Sequence, residues 1–243
     1  MQAQIAAESH STPVMHIVIL ILVLLALIFG PQWWAQYTFR RYAVNQSRIP
    51  GTGGELARHL LDSFELADVA VEKTDKGGDH YDPESRSVRL GPDNYDQNSL
   101  TAVAVAAHEV GHAIQHRNRE AKLALRHRLV KVAQTTQQIG AGAMFLLPVV
   151  MAVTRAPASG LVMGAIGLGS MAMATLVHLV TLPVEFDASF GKALPILKAG
   201  QYIQPGDEAA VHSVLRAAAL TYVAGSLASL LNLARWLAFL RRA

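Results

Sequence analysis

Residues 102–116 read AVAVAAHEVGHAIQH. The small apolar residues predict a buried helix, which should start at a cap on Asn98 or Ser99 and run to about Asn118. On a helix, positions i and i+4 share a face, so His108 and His112 present two imidazoles to one ion, with Glu109 beside them. Two histidines and a glutamate on such a helix are costly to bury without partners. The competing reading is a core histidine pair satisfied by hydrogen bonds.

Two imidazoles leave a catalytic zinc one protein ligand short. The chain has no cysteine, so any transition metal must be held by His, Asp or Glu. An extended motif with Gly at 115 and His at 118 is excluded, because those positions are Gln115 and Asn118. His116 falls on a neighbouring face and His127 on a basic helix, so both read as surface residues. Downstream, TLPVEFDASFGKAL (181–194) places Glu185 just after an apolar run, where the helix can continue past Pro183. Glu185 is the first candidate for the third ligand, against a plain acid facing water. Asp187 is expected to orient a histidine. Glu208 with His212, spaced i and i+4, is the fallback pair.

Half of the 243 residues are hydrophobic (51%) and 16% are charged, a balance more apolar than that of an ordinary soluble domain. The net charge of +3 is modest and sits beside apolar segments, which argues against nucleic acid as a partner. The run Val14–Phe29 reads as a spanning helix rather than a cleaved signal. Trp33, Trp34 and Tyr37 then form an aromatic belt ahead of Arg40 and Arg41. The expected organisation is a tail at 1–13, a transmembrane anchor at 14–34 and a soluble subdomain at 40–138. A transmembrane or re-entrant hairpin at 139–183 follows, then a segment at 184–216 with the third ligand, and a transmembrane helix at 217–240. Within the subdomain, GTGGELARHLLDSFEL (51–66) predicts an amphipathic helix. The alternation around GDHYDPESRSVRLG (78–91) predicts two or three strands, an edge of which could pair with an extended peptide. Arg40, Arg41 and Arg48 put the subdomain on the cytoplasmic side, while Arg241 and Arg242 argue the other way.

Four blocks carry a family resemblance: GDHYDPESRSVRLG, AVAVAAHEVGHAIQH, LPVEFDAS (182–189) and VLRAAALTYVA (214–224). In this order they resemble the YugP-type membrane-bound neutral zinc metallopeptidases, which are similar in organisation to the HtpX and Ste24 gluzincin proteases. The resemblance implies an α-helical integral membrane protein with a small α+β zincin-like subdomain, its HExxH helix beside a transmembrane helical hairpin, in the inner membrane of a bacterium. It implies that His108, His112 and Glu185 hold one Zn2+ and that Glu109 is the catalytic acid and base. The HtpX-like pattern has an Asp four residues after the ligand glutamate. Here that position is Ser189, with Asp187 two residues earlier.

The expected activity is that of a membrane-bound zinc endopeptidase. A zinc-activated water attacks the peptide carbonyl, and Glu109 takes its proton and returns it to the departing amine. His212, His178 and Tyr222 are candidates for the donor to the developing oxyanion. Expected partners are protein or peptide substrates and the lipid bilayer. The rival reading is a zinc-stabilised membrane scaffold without turnover, against which Glu109 speaks, since a structural site needs no adjacent base. A transporter is weaker, because His16, His178 and Arg235 are too scattered to form a path.

Overall fold

The computed structural model describes residues 2–75, 78–154 and 158–240. The first helix, α1, runs Gln2–Tyr42. A loop leads to α2 (Gly53–Ser63), which opens on a reciprocal cap: Thr52 Oγ1 accepts the Glu55 N–H, and the Glu55 carboxylate accepts the Thr52 N–H. Three short strands follow, β1 (Ala70–Lys73), β2 (His80–Asp82) and β3 (Ser87–Leu90). Their order is β1-β3-β2, with β1 parallel and β2 antiparallel to the central β3. A short α3 (Pro92–Asp96) leads to α4 (Leu100–Arg117), the helix of the His-Glu-x-x-His motif. Ser99 caps α4, its hydroxyl accepting the Ala102 N–H at 3.1 Å.

Two long helices come next, α5 (Ala121–Thr154) and α6 (Ala158–Phe186), packed against each other. The chain continues through a π-helical turn at Asp187–Ala193, α7 (Leu194–Ala199), a 3-10 turn at Pro205–Asp207 and α8 (Glu208–Leu240). Residues 155–157, within the expected hairpin at 139–183, and the pair Arg241 and Arg242 lie outside the described residues. The core joins α2, the sheet, α4, α7 and the start of α8 through Leu60, Leu61, Val88, Val103, Leu197 and Leu215. Arg48, in the loop after α1, grips Asp207 with two guanidinium nitrogens and so ties that loop to the start of α8.

None of the helices, over the described residues, is long and apolar enough to cross a membrane. This overturns the expectation of an α-helical integral membrane protein with an anchor at 14–34, a hairpin within the bilayer at 139–183 and a span at 217–240. The placement in an inner membrane with the site on its cytoplasmic side is corrected with it. The physical reason is that the apolar runs belong to longer helices that share their length with polar turns and pack on one another, α1 on α8, α5 on α6 and α6 on α8. Helix α5 opens on Lys122, Arg126, Arg128 and Lys131, and α8 carries Arg216, Asn232 and Arg235. That packing leaves part of the apolar surface uncovered, with Met15, Leu22, Phe29, Ile139 and Val162 exposed.

Candidate metal centre

Helix α4 delivers His108, Glu109 and His112 to one buried place, with exposures of 7%, 6% and 6%. The two imidazole rings are edge to face with centroids 4.7 Å apart. Glu185 arrives from the last turn of α6 and is 1% exposed. Its Oε2 lies 3.2 Å from Nε2 of His108 and 3.4 Å from Nε2 of His112. Among the described residues, His108, His112 and Glu185 are the one group of three or more such side chains that could hold a metal ion, their donor atoms lying within 4.8 Å of one another.

Close approach of the backbones makes this possible. A Cβ on Gly111 would sit 2.9 Å from the Ala188 carbonyl oxygen, so only glycine lets α4 lie this near the turn that follows Glu185. That turn is π-helical, with the Leu194 N–H bonded to the Ser189 carbonyl five residues back.

The outer nitrogens of both rings are occupied. Ser189 Oγ is 3.1 Å from Nδ1 of His108. Nδ1 of His112 lies 2.9 Å from Gln115 Oε1, and Gln115 Nε2 donates to the Val184 carbonyl at 3.0 Å and to Asp187 Oδ2 at 2.7 Å. Lys192 Nζ donates to Asp187 Oδ2 at 2.6 Å and pairs with Glu120 at 2.9 Å. Both Nε2 atoms therefore face Glu185. The second Glu185 oxygen, Oε1, accepts no hydrogen bond despite its burial, although Nη1 of Arg126 stands 3.2 Å away. Two imidazole nitrogens and a carboxylate, converging with their far sides braced, fit a divalent zinc ion with a fourth position left open.

Burial alone would raise the Glu185 carboxyl. The adjacent His108 and His112 rings and the Arg126 charge outweigh it and hold Glu185 well below the ordinary carboxylate range. Glu109 shows the opposite balance: burial pushes its carboxyl up to about 7, against the His108 charge and a backbone N–H from Tyr81. His108 and Glu109 line a cavity of about 320 Å³. Its other walls include Phe39 and Arg40 from the end of α1, Asp79 before β2, and Leu215 and Tyr222 from α8.

The remaining sequence candidates fall elsewhere. Asp187 has no hydrogen bond to a histidine among the described residues and is linked to His112 through Gln115. Glu208 is taken by Lys198 at 2.5 Å, and the exposed His212 has its ring 5.1 Å from that of Phe190. The half-buried His178 ring packs where a side chain at Gly225 would stand, and neither it nor His212 lines the cavity. Half-buried His116 meets the Tyr81 hydroxyl at 2.7 Å, and the His127 ring is 6.5 Å from it; neither belongs to the metal group. Sequence reasoning missed Gln115, Arg126 and the bond from Ser189. The available signal was spacing: Gln115 is one turn beyond His112, and Ser189 is four residues beyond Glu185.

Comparison with known proteins bears on this geometry. The sequence profile of the family described as "Putative neutral zinc metallopeptidase" matches residues 17–241. A protein of Bacillus subtilis (strain 168) named "Putative membrane protease YugP" is 39% identical over 218 residues, covering 85% of this chain and 90% of that protein. No solved structure matches. The chain belongs to the neutral zinc metallopeptidase family.

Proposed function

We propose that the protein is a zinc endopeptidase in which His108, His112 and Glu185 hold the ion and Glu109 moves the protons. The observation that carries this reading is the convergence of the three donors beside a glutamate that opens, with His108, onto a cavity. When bound, zinc supplies Lewis acidity, polarising a peptide carbonyl and making nearby water more acidic. Glu109 accepts a proton from the attacking water as its oxygen bonds to the carbonyl carbon. It then gives that proton to the amine nitrogen as the C–N bond breaks. The Glu109 position beside the cavity favours this work, and the Tyr81 N–H steadies the carboxylate between the two transfers.

Tyr222 is the best placed of the three candidates for stabilising the developing oxyanion, since it lines the cavity with Glu109. Burial and the nearby Glu185 charge raise its phenol further, so it keeps its proton and donates. The strand order leaves one side of β2 without a partner in the sheet, beside the Tyr81 that contacts Glu109. An extended peptide laid along β2 would bring its carbonyl toward Glu109.

The test is cleavage of an unfolded protein such as casein by the purified chain, with chelator and then with zinc restored. Loss and recovery of cleavage supports the peptidase. Stoichiometric zinc without any cleavage would replace it by a zinc-stabilised scaffold.

A further inference from the structure

Gln115 is 1% exposed, and every polar atom of its carboxamide is committed. The two acceptors facing Nε2 are the Val184 carbonyl oxygen and the Asp187 carboxylate. Neither has a proton to give, so the amide can be placed in only one way, NH2 toward them and Oε1 toward His112. An amide oxygen only accepts, so Nδ1 of His112 must carry a proton. With Nδ1 so committed, Nε2 is the nitrogen of that ring left to bind a metal, and it is the atom facing Glu185.

The Asp187 carboxylate that sets the amide is itself held by Lys192, and Lys192 by Glu120. A chain of polar contacts thus runs from Glu120, just before α5, to the ring of His112. His108 has no such constraint, because the Ser189 hydroxyl beside its Nδ1 both donates and accepts.

We infer that Gln115 is a positioning residue that fixes the His112 proton on Nδ1 and its Nε2 toward the metal, with Asp187 dictating which way the carboxamide points. The inference rests on His112 being a zinc ligand. Losing an outer partner of this kind lowers metal affinity by roughly 10- to 100-fold.

The experiment measures zinc affinity by competition with a chromophoric chelator, using the full chain. Q115M is expected to bind zinc 10- to 100-fold more weakly than the unaltered protein. Q115E should be weaker still, since its carboxylate would face Asp187 and the Val184 carbonyl. Adding D187N to Q115E turns the contact around, with the new amide donating, and is expected to recover about tenfold. In the zinc-loaded unaltered protein, the His112 Nδ1–H should appear as a slowly exchanging 1H–15N resonance, which keeps the inference testable if a variant fails to fold. Unchanged affinity in Q115M, no recovery in Q115E/D187N, or a fast-exchanging Nδ1–H would each overturn it. Failure of the underlying reading looks different: the unaltered chain and H112A would then bind zinc equally poorly.

Discussion

Arg126 and Glu185 face each other with Nη1 3.2 Å from Oε1, while the other Glu185 oxygen turns to the two histidines. Arg126 is thus the countercharge of a carboxylate that is 1% exposed. Removing it leaves the buried negative charge to the two histidines alone in the zinc-free protein, whereas bound zinc would supply further positive charge. R126M is therefore expected to destabilise the zinc-free form by about 1–3 kcal/mol and the loaded form by clearly less. Thermal unfolding of both forms checks this, and equal losses would show that the ion does not sit against Glu185.

Glu109 is assigned to proton transfer and not to holding the ion. E109Q should keep its zinc and lose cleavage by about 10²- to 10⁴-fold. Metal analysis alongside a peptide cleavage assay decides it, and undiminished cleavage with zinc retained removes Glu109 from the mechanism.

Gly111 provides the approach of α4 to the Glu185 turn. G111A places a methyl group 2.9 Å from the Ala188 oxygen. Relief of that contact should cost about 1–3 kcal/mol and widen the spacing between the histidines and Glu185. The expected result is a lower denaturation midpoint together with weaker zinc binding. A variant with both properties intact would show that the contact is relieved elsewhere.

Asp82, at the end of β2, gives the fold an acid-sensitive element. Burial would raise its carboxyl, but bonds from the Ser85 hydroxyl, the Glu84 and Ser85 backbone N–H groups and Arg89 bring it down from 3.8 to about 2. A carboxyl depressed by folding stabilises above its unfolded value, and that stability is lost as the pH falls from about 3.8 toward 2. It amounts to about 2 kcal/mol at neutral pH. D82N should therefore be less stable than the unaltered chain at pH 7, with the gap closing near pH 2. Urea midpoints across this range measure it, and a gap independent of pH would contradict the ionised bonding.

Much of the site was legible in advance because its signals are local. The spacing of His108, Glu109 and His112 specifies a shared helical face, and the Ser99 cap precedes the apolar run by one residue. Glu185 was legible as a carboxylate closing an apolar segment. The surroundings of these groups were not, since they depend on which distant elements meet. Arg126 reads as one charge in a basic surface helix until α5 turns it toward Glu185. Gln115 reads as the absence of another motif until Val184 and Asp187 close around its amide. The apolar segments are ambiguous in sequence for a related reason: hydrophobic length records how much surface avoids water and not what covers it.

The π-helical turn at Asp187–Ala193 makes segment length itself an inherited requirement. Each residue of a regular helix adds about 100° of rotation. The wide turn absorbs one residue more than an ordinary helix would, so deleting one would leave Leu197 near its present facing relative to Glu185. What would shift is local: the Ser189 hydroxyl beside His108 and the Ala188 carbonyl against Gly111.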